Sequence, residues 1–201
     1  VSSSTRGVLG GGLDAPNQLD TVDYCTIAST GNFVDFGNLA AGVEHPGACA
    51  SPTRGLFVGG NTDGTGSGGT NVTQYITIAT TGNTTDFGDA TVASDMLGCM
   101  SNATRGIFGG GYVSSTQLNT ISYVTISTLG NASDFGDLTI VNYIRGSFAS
   151  PTRAVWGGGL GSANNTIDYV EIMTTGNAVD FGDMVAAMGC WGGASTGHGG
   201  L

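Results

Sequence analysis

Two patterns of charged residues in this chain have the types and spacing to do chemistry, and each is written four times. The first is an arginine just ahead of a glycine run, at Arg6, Arg54, Arg105 and Arg153. Four guanidinium groups around a common axis would make an anion site, because each presents a planar fork of donors to a carboxylate or phosphate. The alternative is a fixed bridge to a carboxylate, or to loop carbonyls of the same or the adjacent repeat. The fourfold recurrence of Asp35, Asp86, Asp134 and Asp180 favours that structural bridge. Those aspartates belong to the second pattern, Asp-Phe-Gly, followed by Asp89, Asp137 or Asp183 and in the first copy by Asn38. Two carboxylates per turn could ligate calcium through oxygen. Asp and Asn are also the default residues of turns, so no metal is assigned.

Other chemistries lack a necessary part. Asp-Phe-Gly in a kinase holds magnesium beside a phosphate-binding lysine and an H-R-D loop, and this chain has neither. Its better reading is turn chemistry, with Phe36, Phe87, Phe135 and Phe181 filling gaps between repeats. The runs Gly10-Gly11-Gly12, Gly109-Gly110-Gly111 and Gly157-Gly158-Gly159 would cradle a phosphate only if a helix N-terminus followed. No helical period is found after them, so they read as close strand packing. His45 and His198 do not make up the ligand set of a metalloenzyme, and no G-x-S-x-G elbow exists. No catalytic residue and no cofactor are expected. Cys25, Cys49, Cys99 and Cys190 lack C-x-x-C spacing, and Cys25 stands where other copies have Ile76, Val124 and Val170. They read as free, buried structural thiols.

Composition narrows the partners. The chain has 201 residues, no lysine, 15 acidic groups and a net charge of −10. Such a surface repels phosphates, which argues against nucleic acid and anionic lipid heads. No apolar run approaches the roughly 18 residues that a membrane-spanning helix requires.

The elements that must position the repeated residues are short strands. Each copy holds four extended segments: one before the arginine, one running from it into the glycines, one around Tyr24, Tyr75, Tyr123 or Tyr169, and one carrying Asp-Phe-Gly. The third is the strongest, with β-branched residues at a period of two in Gln74-Tyr75-Ile76-Thr77-Ile78. A Gly-Asn pair before the fourth segment reads as a hairpin turn. Length varies only in the loop after the glycines, as in DAPNQLDT, NTDGTGSGGTN, YVSSTQLN and LGSANN. Loops that vary on a steady scaffold are surface excursions.

Four strands in a repeat of about 40 to 50 residues is the arithmetic of a propeller blade. The expected fold is all-β, a small β-propeller forming one domain over 1–201, with repeats at about 5–52, 53–103, 104–151 and 152–196. The segment 189–196 reads as a fifth copy of the first strand that would complete the first blade, in competition with Val1-Ser2-Ser3-Ser4.

Arg54, Gly59-Gly60, Tyr75 and Phe87, in that order, resemble the kelch repeat, with Phe in place of the usual Trp. The wording TRG-x-F-GGG followed by TTGN-x-x-DFGD also resembles repeat regions of structural and tail-fibre proteins of marine bacteriophages. That resemblance implies a non-enzymatic structural or adhesion module on a virion or extracellular surface. Its partners would be other virion or surface subunits, or a host glycan met by the variable loops. The competing reading is a secreted lectin-like propeller. Tyr112, Trp156 and Trp191 lie near loops or chain ends, where they could stack on sugar rings or pack between blades.

Overall fold

The computed structural model describes residues 1–65, 67–143, 146–160, 165–189 and 192–193. Within them the chain is all-β, in antiparallel sheets of which the second, third and fourth each draw their first strand from the end of the preceding repeat. The first sheet contains β1 (Arg6–Asp14), β2 (Asn17–Thr26) and β3 (Val34–Asn38). The second contains β4 (Gly47–Ala50), β5 (Arg54–Val58), β6 (Val72–Thr77) and β7 (Thr85–Asp89). The third contains β8 (Gly98–Ser101) and β9 (Arg105–Gly109), then a separate hairpin of β10 (Tyr112–Val113) and β11 (Thr116–Gln117), then β12 (Thr120–Thr125) and β13 (Ser133–Asp137). The fourth contains β14 (Gly146–Ala149), β15 (Arg153–Gly157), β16 (Thr166–Glu171) and β17 (Val179–Asp183).

In every sheet the strands pair in chain order, the meander expected of short strands joined by local loops. The first sheet takes its fourth position from Val1, whose backbone nitrogen donates to the Val8 carbonyl and whose carbonyl accepts from the Val8 amide, with a bridge between Ser2 and Gly7. Val1 thus sits beside β1 as Cys49 sits beside Leu56 in the second sheet. The N-terminal residues hold the contested slot; Cys190, Trp191 and 194–201 lie outside the described residues.

The Asp-Phe-Gly triplets are strand, not turn. In each outer strand the phenylalanine is an extra residue between two paired positions: Phe87 falls between the pairs Thr73–Gly88 and Gln74–Asp86, and Phe135 between Ile121–Gly136 and Ser122–Asp134. The same bulge recurs at Phe36 and Phe181. A bulge re-aims one side chain and sharpens the local twist. Here each ring meets the tyrosine of the neighbouring strand edge-on, at 5.8 to 6.2 Å for Phe36, Phe87, Phe135 and Phe181.

The sheets pack face against face in chain order, giving three mixed cores. Ile76 and Ile78 of the second sheet join Val8, Val22 and Phe36 of the first. Phe108, Val124 and Ile126 join Leu56, Val58 and Phe87 across the next junction. Trp156, Val170 and Ile172 join Ile107, Ile121 and Phe135 across the third. The inner strands β4, β8 and β14 lie side by side. The first and last faces are uncovered, with Ile27 56% and Phe181 55% exposed, while Ile126 and Phe135 at equivalent positions are at 1% and 2%.

Most of the fourth-copy loop LGSANN, at 161–164, lies outside the described residues; among the other three loops the reading changes in one place. DAPNQLDT does not form an excursion in the first copy; β1 and β2 run on as one long hairpin that turns between Asp14 and Asn17. In the second copy the loop is held by its own side chains, with Asn61 Oδ1 accepting from the Asp63 and Gly64 amides and Asp63 Oδ1 from Thr65 and Gly68.

Glycine after the bulged phenylalanine is required by a close approach. A Cβ on Gly136 would lie 2.5 Å from the Gly176 carbonyl carbon of the next sheet, at φ +144, whereas Gly182, at φ +133, has nothing within 4 Å. Alanine at either position carries backbone strain of about 1–3 kcal/mol. Gly136→Ala must also push the next sheet away, so its loss in urea unfolding is expected to exceed that of Gly182→Ala by at least ~1 kcal/mol, about one hydrogen bond.

Candidate functional site

The repeated arginines act at the sheet junctions. Arg6 Nη1 donates to the Ile78 carbonyl at 3.0 Å, Arg54 to Ile126 at 2.7 Å and Arg105 to Ile172 at 2.9 Å. Each guanidinium also lies over the tyrosine of its own sheet, Tyr24, Tyr75, Tyr123 or Tyr169, at 4.3 to 4.5 Å from the ring centre. The ring holds the cation at a fixed height by attraction to its π face, and the fork then reaches across to the neighbour. The bridge anticipated from sequence is therefore made to a carbonyl of the adjacent sheet. The repeated aspartates do not supply its acceptor: Asp35, Asp86 and Asp134 are exposed, and Asp180 accepts from the Gly182 amide of its own strand. Arg153 departs from the pattern and pairs with Glu171 at 2.8 Å on the surface.

The Gly-Asn pairs do a second job that their reading as hairpin turns missed. Gly82, Gly130 and Gly176 donate their amides to the carbonyls of Phe36, Phe87 and Phe135 in the preceding sheet, at 2.7 to 2.8 Å. Asn83, Asn131 and Asn177 accept through Oδ1 from the amides of Asn38, Asp89 and Asp137, at 3.0 to 3.1 Å. The next residue closes the clip, with Thr84, Ala132 and Ala178 amides donating to the carbonyls of Asn38, Asp89 and Asp137. The fourfold repetition of Gly-Asn beside an outer strand was the signal available in the sequence, since a hairpin turn alone does not specify one dipeptide.

The three aromatic residues proposed for sugar contact part company. Trp156 is fully buried and donates its indole N–H to the Gly98 carbonyl at 3.0 Å, so it packs between the third and fourth sheets and offers no face to a ligand. Trp191 lies outside the described residues. Tyr112 is half-buried on the rim hairpin and stacks on Tyr143, ring centres 5.0 Å apart at 36°. Tyr143 was not anticipated, because it lies outside the repeated pattern. Behind Tyr112 lies a group of buried polar residues: the Asp95 backbone pairs with Tyr112, and Asp95, Glu44 and Asn61 are all buried. Burial pushes the Asp95 carboxyl above its ordinary range, with the Asn61 amide and His45 pulling it down and Glu44 pushing it up again.

Elsewhere the chemistry is sparse. An open cavity of about 650 Å³ lies along the inner strands, lined by Leu9, Phe33, Cys49, Leu97, Cys99 and Ser147 among others. Its titratable side chains are thiols, and burial pushes Cys49 up to about 12 and Cys99 well above the usual thiol range. Cys25, Cys49 and Cys99 are free, with Cys25 half-exposed because no sheet covers it. Neutral thiols are poor nucleophiles. Among the described residues no three His, Cys, Asp or Glu side chains converge as metal ligands.

The fold and rim together define a class no finer than an all-β chain of four repeated antiparallel sheets with an aromatic pair at one loop edge. No protein-family model matches the chain, and no match is found among curated proteins.

Two outcomes are expected. Arg105→Ala removes a cation–π contact and a charged donor to a carbonyl, a loss of about 2–3 kcal/mol, while Arg153→Ala breaks a surface pair worth ~1 kcal/mol or less; thermal unfolding of both variants measures the difference. Unchanged stability of Arg105→Ala with loss of a bound anion would instead assign it to a ligand site. Asp95, with its folded pKa raised, binds a proton more tightly in the native state. Its contribution is fully present below the unfolded value of about 4 and is lost as pH rises through the folded value. Asp95→Asn should therefore unfold at a higher temperature than the parent at neutral pH, with the gap narrowing toward pH 4.

Proposed function

We propose that this chain is a non-enzymatic structural or adhesion module of a virion or cell surface, built as a kelch-like β-propeller whose four sheets are blades. One observation carries the reading. The repeated arginines, phenylalanines and Gly-Asn pairs join sheet to sheet at the three internal junctions, and the loops that differ between copies lie on the rim. A scaffold held constant while its rim varies suits recognition, where loops change the partner without changing the support. Tyr112 and Tyr143 form the contact point, a half-buried aromatic pair whose ring faces would meet the apolar face of a host glycan's sugar ring.

The virion assignment rests on the resemblance of the repeat wording to phage tail-fibre repeats. The acidic, lysine-free composition accords with a partner that is a neutral sugar or protein and with no nucleic acid partner.

The test is a glycan array probed with the intact chain, followed by Tyr112→Ala and Tyr143→Ala. Each variant is expected to lower affinity for the best glycan about tenfold, the equivalent of ~1.4 kcal/mol, without altering the unfolding midpoint of the sheets. Equal binding by both variants would remove the rim platform, and absence of any glycan signal would shift the reading to a protein partner.

A further inference from the structure

The two uncovered faces of the chain are the two halves of the junction that it makes three times internally. On the fourth sheet, Phe181 is exposed where Phe36, Phe87 and Phe135 are each at 2%. The space above Gly182 is open, whereas a Cβ on Gly37, Gly88 or Gly136 would meet the clip of the following sheet. Gly157 is open too: the nearest atom to a Cβ there is Met184 Sδ at 3.6 Å, while Gly10 and Gly109 are covered by Phe57 and Trp156. This face therefore lacks a Gly-Asn clip, an isoleucine and a large apolar residue in the slot over its glycine.

The first sheet carries all three, uncovered. Gly31-Asn32 aligns with Gly82-Asn83, Gly130-Asn131 and Gly176-Asn177. Ile27 aligns with Ile78, Ile126 and Ile172, whose carbonyls accept the arginines and whose side chains are at 1%, 1% and 0%, yet Ile27 is 56% exposed. Leu9 aligns with Phe57, Phe108 and Trp156, at 4%, 2% and 0%, yet it is 61% exposed. A surface with Leu9 and Ile27 both exposed beside an unused Gly-Asn loop is unusual unless something covers it.

We propose that the first sheet of a second copy of this chain docks on the fourth sheet, head to tail, through the contacts that join sheets within the chain. Gly31 would donate to the Phe181 carbonyl, Asn32 Oδ1 would accept from the Asp183 amide, and Phe33 would donate to the Asp183 carbonyl. Ile27 would pack on Phe181, and Leu9 would fill the slot over Gly157. Arg153 would exchange Glu171 for the Ile27 carbonyl. The junction is heterologous, so each chain keeps one free face of each kind, and assembly proceeds to a ring if the rotation closes and to a filament if it does not. The proposal stands on the internal junctions and not on the adhesion role, and it replaces closure of the four blades within one chain by closure or continuation through a second copy.

Sedimentation velocity over a concentration series tests it, using the full chain with Ile27→Asp and Phe181→Asp. Both side chains are exposed, so neither change should unfold its sheet, and circular dichroism checks that. The parent chain is expected to associate with rising concentration and each variant to remain a single chain. An equimolar mixture has one intact junction, the Phe181 of the first variant meeting the Ile27 of the second, and it should give a two-chain species and nothing larger. A parent chain that stays single at every concentration overturns the proposal, as closure of one chain on itself would produce. Variants that associate like the parent also overturn it.

Discussion

The structure depends on one contact repeated along the chain, the clip between an outer strand and the Gly-Asn loop of the next sheet, reinforced by an arginine crossing the same junction. A four-stranded sheet of four- to six-residue strands cannot bury both faces by itself. Stacking covers the faces, and the clip sets the distance and register of the stack. Each junction combines three backbone-directed bonds at the outer edge with a charged donor farther in, so the sheets cannot slide without losing all of them together. The phenylalanine between them is the apolar component, turned inward by its bulge and covered by the isoleucine of the next sheet.

This arrangement explains why so few charges are needed. The arginine charge is spent on a carbonyl and an aromatic ring, neither of which demands a counter-ion, and the aspartates remain in water. A buried carboxylate partner would have to be desolvated at each junction. Arg153, with no sheet beyond it among the described residues, takes the surface partner Glu171, which stands where the other arginines face Thr26, Thr77 and Thr125.

Variation is tolerated where the junctions are not. The rim after the glycines accommodates a plain hairpin turn in the first copy, a loop locked by Asn61 and Asp63 in the second, and a small hairpin bearing Tyr112 in the third. Each solution is built from hydrogen bonds among its own loop residues. The rim is accordingly where the chain carries chemical individuality, including the buried Asp95 and the Tyr112–Tyr143 pair.

The sequence by itself determined the repeat, the strands, the inward phenylalanines and the structural use of arginine, because each follows from local spacing: a period of two puts Ile76 with the core, and an identical position in every copy must meet an identical neighbour. It misread Asp-Phe-Gly as a turn and Gly-Asn as only a hairpin, since Gly, Asp and Asn serve turns, bulges and close approaches alike. Tertiary structure alone decided the acceptor of each arginine, which lies 72 residues away from Arg6 and Arg54. It also decided that Phe135 is core while Phe181, in the same local sequence, is surface. Burial is a property of what stands in front of a residue, and no local pattern records whether the next sheet is there.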